Sequence, residues 1–168
     1  MSISIYDQSV GRFIPMLNNL DAIVAKAEVH ATTHDIEPSA LLQARLFPNM
    51  RHFIFQIQVA TDIAKGCAAR LGGVDIPKWT DDEVTFADVH ARIKKAVDFL
   101  ATFNPEQFEG SEKNEIELTL RGNKVQFTGQ SYLLSFAIPN FYFHIVTAYN
   151  LLRHNGVELG KMDFIGQR

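Results

Sequence analysis

A chain of 168 residues is long enough for one domain with a sizeable core. Its 46% apolar and 21% charged content fits a globular protein and excludes a disordered one. A formal net charge of −3, a pI near 6.0 and a scattered placement of 16 Lys and Arg argue against broad nucleic-acid binding. Cys67 is the one cysteine, so no intrachain disulfide can form, and its Ala-rich surroundings suit a small buried thiol. Met1 to Gln8 has no basic start followed by an apolar run, so no signal peptide is expected. The most apolar region, Tyr132 to Tyr149, is broken by Pro139, Asn140, His144 and Thr147, so no membrane span is expected. The expected compartment is the cytoplasm.

The first helix is predicted over Tyr6 to Ala27. Val10, Phe13, Leu17, Leu20, Val24 and Ala27 recur at steps of three and four and form one apolar stripe. Gly11 and Pro15 predict a kink or a looser turn in its early part. His30 to Asp35 reads as a polar connection, and Pro38 opens a short helix that ends near Phe47-Pro48. The second long helix is predicted over Asn49 to Leu71, stopped by Gly72-Gly73. Val74 to Glu83 is a loop with Trp79 and the acidic run Asp81-Asp82-Glu83, which reads as complementing the dipole of the next helix. Trp79 is expected to pin that loop to the bundle.

Thr85 and Asp88 form a capping pattern that starts the third helix, with Phe86, Val89, Ile93, Val97, Leu100 and Phe103 facing inward. Asn104-Pro105 predicts one short helical turn. Between Glu115 and Thr128 the period changes to two around a turn-rich Arg121-Gly122-Asn123-Lys124, the pattern of a β-hairpin. The last helix is predicted over Pro139 to His154, with a helical turn before the proline, and Gly160 to Arg168 as a short tail. The whole chain, 1–168, therefore reads as one all-α domain, a four-helix bundle with a small β-hairpin insertion at about 115–128.

His144 is the most informative polar residue. It shares the apolar face of Phe141 and Ala148, so its imidazole is expected to point inward, as a satisfied core residue or as a metal ligand. Asn140 lies one turn earlier on the same side. The second helix offers His52, Gln56, Gln58 and Asp62, but amides are weak ligands for a transition metal. The two-histidine helical signature, a pair four residues apart, is read as missing from the whole chain. His30 and His34 read as solvated loop residues, His90 lies at the edge of the third stripe, and His154 suits a helix C-terminus. No phosphate loop, nucleophile elbow or Cys/His pair is present.

Several segments together resemble the DinB/YfiT-like superfamily, and within it a bacterial DinB-like family of unknown function. They are Leu46-Phe47-Pro48-Asn49-Met50, Ala64-Lys65-Gly66, Ala69-Arg70-Leu71 and Pro139-Asn140-Phe141-Tyr142-Phe143-His144. With them go Thr147-Ala148-Tyr149, the run from Leu151 to Glu158, Gly160-Lys161 and Asp163-Phe164. The resemblance implies an up-down-down-up bundle, frequent homodimers and a divalent metal such as Zn or Ni held by three histidines. Members include metal-dependent thiol transferases and hydrolases. Carried over, His144 matches the second late-helix histidine, Asn140 stands where the first would be, and Gln58, or Gln56 with a shift, stands at the second-helix position. His52 or Gln58 would be weak co-ligands.

Two readings follow. One is a small DinB-like enzyme with His144, Asn140, Gln56, Gln58 and Asp62 around a pocket and a metal activating water or a thiol. The other is a homodimeric, non-catalytic protein that binds a small molecule or a partner, with the same cluster as a hydrogen-bonded network and a degenerate three-histidine site.

Overall fold

A computed structural model describes residues 4–166. The helices in chain order are α1 Ile5–Gln8, α2 Val10–Thr33, α3 Pro38–Leu42, α4 Phe53–Gly72, α5 Phe86–Leu100, α6 Gly129–Ser131, α7 Ile138–His154 and α8 Lys161–Ile165. A hairpin of β1 Glu115–Leu120 and β2 Asn123–Thr128 lies between α5 and α6. Among the described residues no helix is long and apolar enough to cross a membrane.

The long helices are α2, α4, α5 and α7, and each buries the stripe that its sequence spacing predicts. Their directions follow from residue pairs. Thr61 and Asp62 of α4 meet Arg92 of α5, and at the far end Gly72 packs so closely on Phe103 that a Cβ there would lie 2.7 Å from the ring. So α4 and α5 run parallel. Gln56 meets His144 and Arg70 meets Tyr132, so the chain through α7 runs antiparallel to α4. Phe13 packs on Phe141 and His30 lies beside Gly156, so α2 is parallel to α7. The order is up-down-down-up, as the superfamily resemblance implies.

Parallel neighbours require the connection 73–85 to return along the whole of α4. An extended chain of that length covers the roughly 30 Å of a 20-residue helix. It is held down along its course. Trp79 sits over Lys65, 4.2 Å from the ring centroid to Nζ, and packs edge-on against Phe99. Further along, Glu83 accepts from Gln58 at 2.8 Å. Arg92 is the centre of this seam, with a side chain only 2% exposed. Its guanidinium donates to Thr61 Oγ1, Thr80 O, Asp81 Oδ1, Glu83 Oε1 and Asp62 Oδ1, all at 2.9–3.1 Å.

Several boundaries differ from the sequence reading, each for a local reason. The first helix breaks at Ser9 rather than at Gly11 or Pro15, where the buried Ser9 hydroxyl bonds back to Ile5 O at 2.7 Å beside the backbone bond that Ser9 N–H makes to the same carbonyl at 3.0 Å. It also continues to Thr33 instead of stopping at Ala27, with Ala31 buried, so His30 is helical. The helix α4 begins at Phe53, not Asn49, because His52 caps it by accepting from Phe55 N. The last helix is entered through α6 and a π-helical stretch at Tyr132–Ala137, which absorbs the approach to Pro139. The expected tail holds α8, tied back to α2 by Lys26–Asp163 at 2.7 Å and by Asn19 donating to Phe164 O.

The hairpin matches the predicted period. Arg121 (φ 50) and Gly122 (φ 83) form its two-residue turn, and Ile116 and Leu118 are buried on the bundle side. Where β2 rejoins the bundle, a Cβ on Gly129 would lie 1.8 Å from Ser111 O, so only glycine fits.

Removing the Arg92 side chain strands the buried Glu83 carboxylate, whose side chain is 8% exposed. Arg92→Ala is expected to lower unfolding free energy by roughly 3–5 kcal/mol in urea denaturation, most of it from that pair because Asp62 and Asp81 reach solvent. A loss below about 1 kcal/mol, the range of an exposed pair, would show that the seam does not hold the connection.

Candidate functional site

His144 projects from the middle of α7 toward α4, but it is half-buried rather than enclosed, which corrects the expectation of an inward core position. Its Nδ1 lies 2.7 Å from Gln56 Oε1. The Gln56 amide nitrogen donates to Arg51 O at 2.9 Å, so its oxygen is the acceptor and His144 Nδ1 carries the proton. That tautomer leaves Nε2 with its lone pair. Burial of the ring holds its pKa below the ordinary histidine value, so His144 is neutral near pH 7. The rings of Phe143 and Phe55 meet it edge-on. Asn140 is half-buried one turn earlier and makes no side-chain hydrogen bond to another described residue.

The other residues grouped with His144 from sequence lie elsewhere. Gln58 is turned to Glu83, and Asp62 binds Arg92 at 2.9 Å and Lys65 at 2.6 Å. Both belong to the seam under the 73–85 connection. His52 spends its Nδ1 lone pair on the cap of α4. The cluster expected from sequence is therefore two clusters on different sides of α4. Arg92 was missed. A lone arginine on the stripe face of α5, one residue before Ile93, was its available signal, and the acidic run read as dipole complementation supplies two of its partners.

The chain matches, over residues 5–165, the family described as "Domain of unknown function (DUF1993)". It is also similar to a DinB family member protein from Shewanella denitrificans. The two are 40% identical, with a TM-score of 0.91 over 98% of this chain and 93% of that one. The chain belongs to this DinB-like family of unknown function. No curated protein matches it.

The superfamily resemblance implies a metal held by three imidazoles, and the donor set here does not fit one. Among the described residues no three His, Cys, Asp or Glu side chains converge as ligands. At the second-helix position either candidate amide is committed, Gln56 to His144 and Gln58 to Glu83, and the first late-helix position holds the Asn140 amide, a weak ligand. Nor does Cys67 serve this DinB-like protein as a nucleophile, since it is fully buried and burial pushes its thiol far up. What remains is a half-open face with a neutral imidazole acceptor, an amide and two aromatic edges.

The depressed pKa of His144 has a signed consequence. The unfolded chain takes up a proton first as pH falls below about 6.5, so stability present above that value is lost on acidification. His144→Gln is expected to flatten the pH dependence of unfolding free energy between pH 7.5 and 5. Because His52 is lowered in the same direction, His52→Asn serves as the parallel control. An NMR titration placing the His144 Cε1–H midpoint at or above 6.5 would contradict the assignment.

Proposed function

We propose that this protein binds a small molecule at the His144 face without a metal, in a site where the family's three-histidine arrangement is degenerate. The observation that carries the reading is the Gln56–His144 bond, which sets the tautomer and presents a neutral acceptor to solvent. A ligand with an O–H or N–H donor would bond to Nε2. The Asn140 amide can both donate and accept beside it, and Phe55 and Phe143 suit an apolar or aromatic body. The orienting group on His144 is a neutral amide rather than a carboxylate, so it gives little support to an imidazolium formed during proton transfer. That favours binding over hydrolysis or thiol transfer.

The test is metal analysis of tag-free protein purified without chelator, together with an NMR screen of hydroxylated aromatic fragments. The expected outcome is no metal dependent on His144, and fragment-induced shifts at the His144 ring that are lost in Asn140→Ala. About one divalent ion per chain, lost in His144→Ala, would overturn the reading in favour of a metal-dependent hydrolase or thiol transferase.

We further propose that the protein is a homodimer through the outer face of α7. Phe143 (57% exposed) and Val146 (40%) lie three residues apart there, with Leu134 (49%) on the preceding π-helical stretch. Light scattering is expected to give about twice the 18.9 kDa chain mass, and Phe143→Glu to halve it. A wild-type mass of one chain would refute the dimer.

A further inference from the structure

The extension of α2 to Thr33 brings two imidazoles together beside the C-terminal end of α7. His30 lies in the last turn and His34 is the C-cap, one helical turn on. Their ring centroids are 4.3 Å apart with the planes inclined by 36°. His34 Nδ1 lies 2.9 Å from His30 O, and a carbonyl can only accept, so Nδ1 carries the proton and Nε2 the free lone pair. This is the arrangement in which a metal-binding histidine is usually held, its second nitrogen donating to a backbone carbonyl. The His30 ring makes no hydrogen bond to another described residue.

The surroundings suit a cation. Because α2 and α7 are parallel, their carbonyl ends meet here. His30 Nε2 comes within 3.7 Å of where a Cβ on Gly156 would stand, just past the end of α7. The negative ends of both helix dipoles thus face one spot. A cavity of about 820 Å³ opens beside the two histidines. Its wall carries Glu158 and Arg153, together with Lys26 and Asp163, which pair with each other at 2.7 Å.

We propose that His30 and His34 form a two-imidazole clamp for a late first-row divalent cation, Cu²⁺, Ni²⁺ or Zn²⁺. Imidazole pairs at a four-residue helical spacing grip such ions from one face. No third described side chain completes a ligand set, so the remaining coordination positions face the cavity and are filled by water or by a small anionic ligand. The clamp goes beyond the His144 reading and is independent of it.

The experiment is calorimetric titration of NiCl2 into tag-free, chelator-stripped full-length protein, with Cu²⁺ electron paramagnetic resonance as a second readout. Wild type is expected to take up one ion per chain, with nitrogen coupling from two imidazoles. His30→Ala and His34→Ala should each weaken binding by at least about tenfold, while His144→Ala and His154→Ala leave it unchanged. Circular dichroism checks that each variant is folded. No saturable uptake, or uptake untouched by either α2 substitution, would overturn the clamp. Uptake lost only in His144→Ala would overturn both the clamp and the metal-free reading of His144. Uptake lost only in the α2 variants leaves that reading standing.

Discussion

The fold depends on one buried guanidinium. Two helices consecutive in sequence and parallel in space need a long return between them, and a long return is entropically costly to hold in one path. Arg92 supplies the anchor. From the inner face of α5 it reaches α4 through Thr61 and Asp62 and the connection through Thr80, Asp81 and Glu83. Only a planar fork with five donors can serve so many acceptors at once, which a lysine could not do. Trp79 adds a broad apolar face under Lys65, Arg92 and Lys95, so the connection is pinned by both charge and packing. No buried side-chain polar atom among the described residues lacks a partner. A polar seam in a low-dielectric setting stabilises a fold only when it is satisfied in this way.

This seam also decides what is left for function. Gln58 and Asp62 are drawn to the α5 side of α4, where they complete the Arg92 network, while Gln56 turns to α7 and orients His144. A helix distributes successive polar residues around its axis at about 100° each, so residues two apart face nearly opposite ways. Neighbours in sequence thus serve different partners. The result on the α7 side is a single oriented imidazole whose desolvation keeps it neutral.

At the carbonyl ends of α2 and α7 the same topology has a different effect. Parallel α2 and α7 finish side by side, and α8 folds back against α2 through Asp163 and the Phe164 carbonyl. The three elements border the open cavity next to His30 and His34. Antiparallel packing of those helices would have set a helix start against a helix end and cancelled the field there. The up-down-down-up order instead aligns two carbonyl ends.

From the sequence alone, much of the architecture was determined. The apolar stripes of the four long helices, the Thr85–Asp88 cap, the Asn104-Pro105 turn and the hairpin around Arg121-Gly122 all rest on contacts within a few residues, which periodicity and capping chemistry report directly. The motif segments likewise placed the chain in a DinB-like family. Tertiary structure alone decided the rest. The extension past Ala27 depends on what the helix packs against, and the roles of Arg92, Gln58 and Asp62 depend on partners distant in the chain. Spacing along one helix says which residues share a face. It does not say which other helix that face meets, and that meeting separated His144 from Gln58, while the extension of α2 past Ala27 joined His30 to His34.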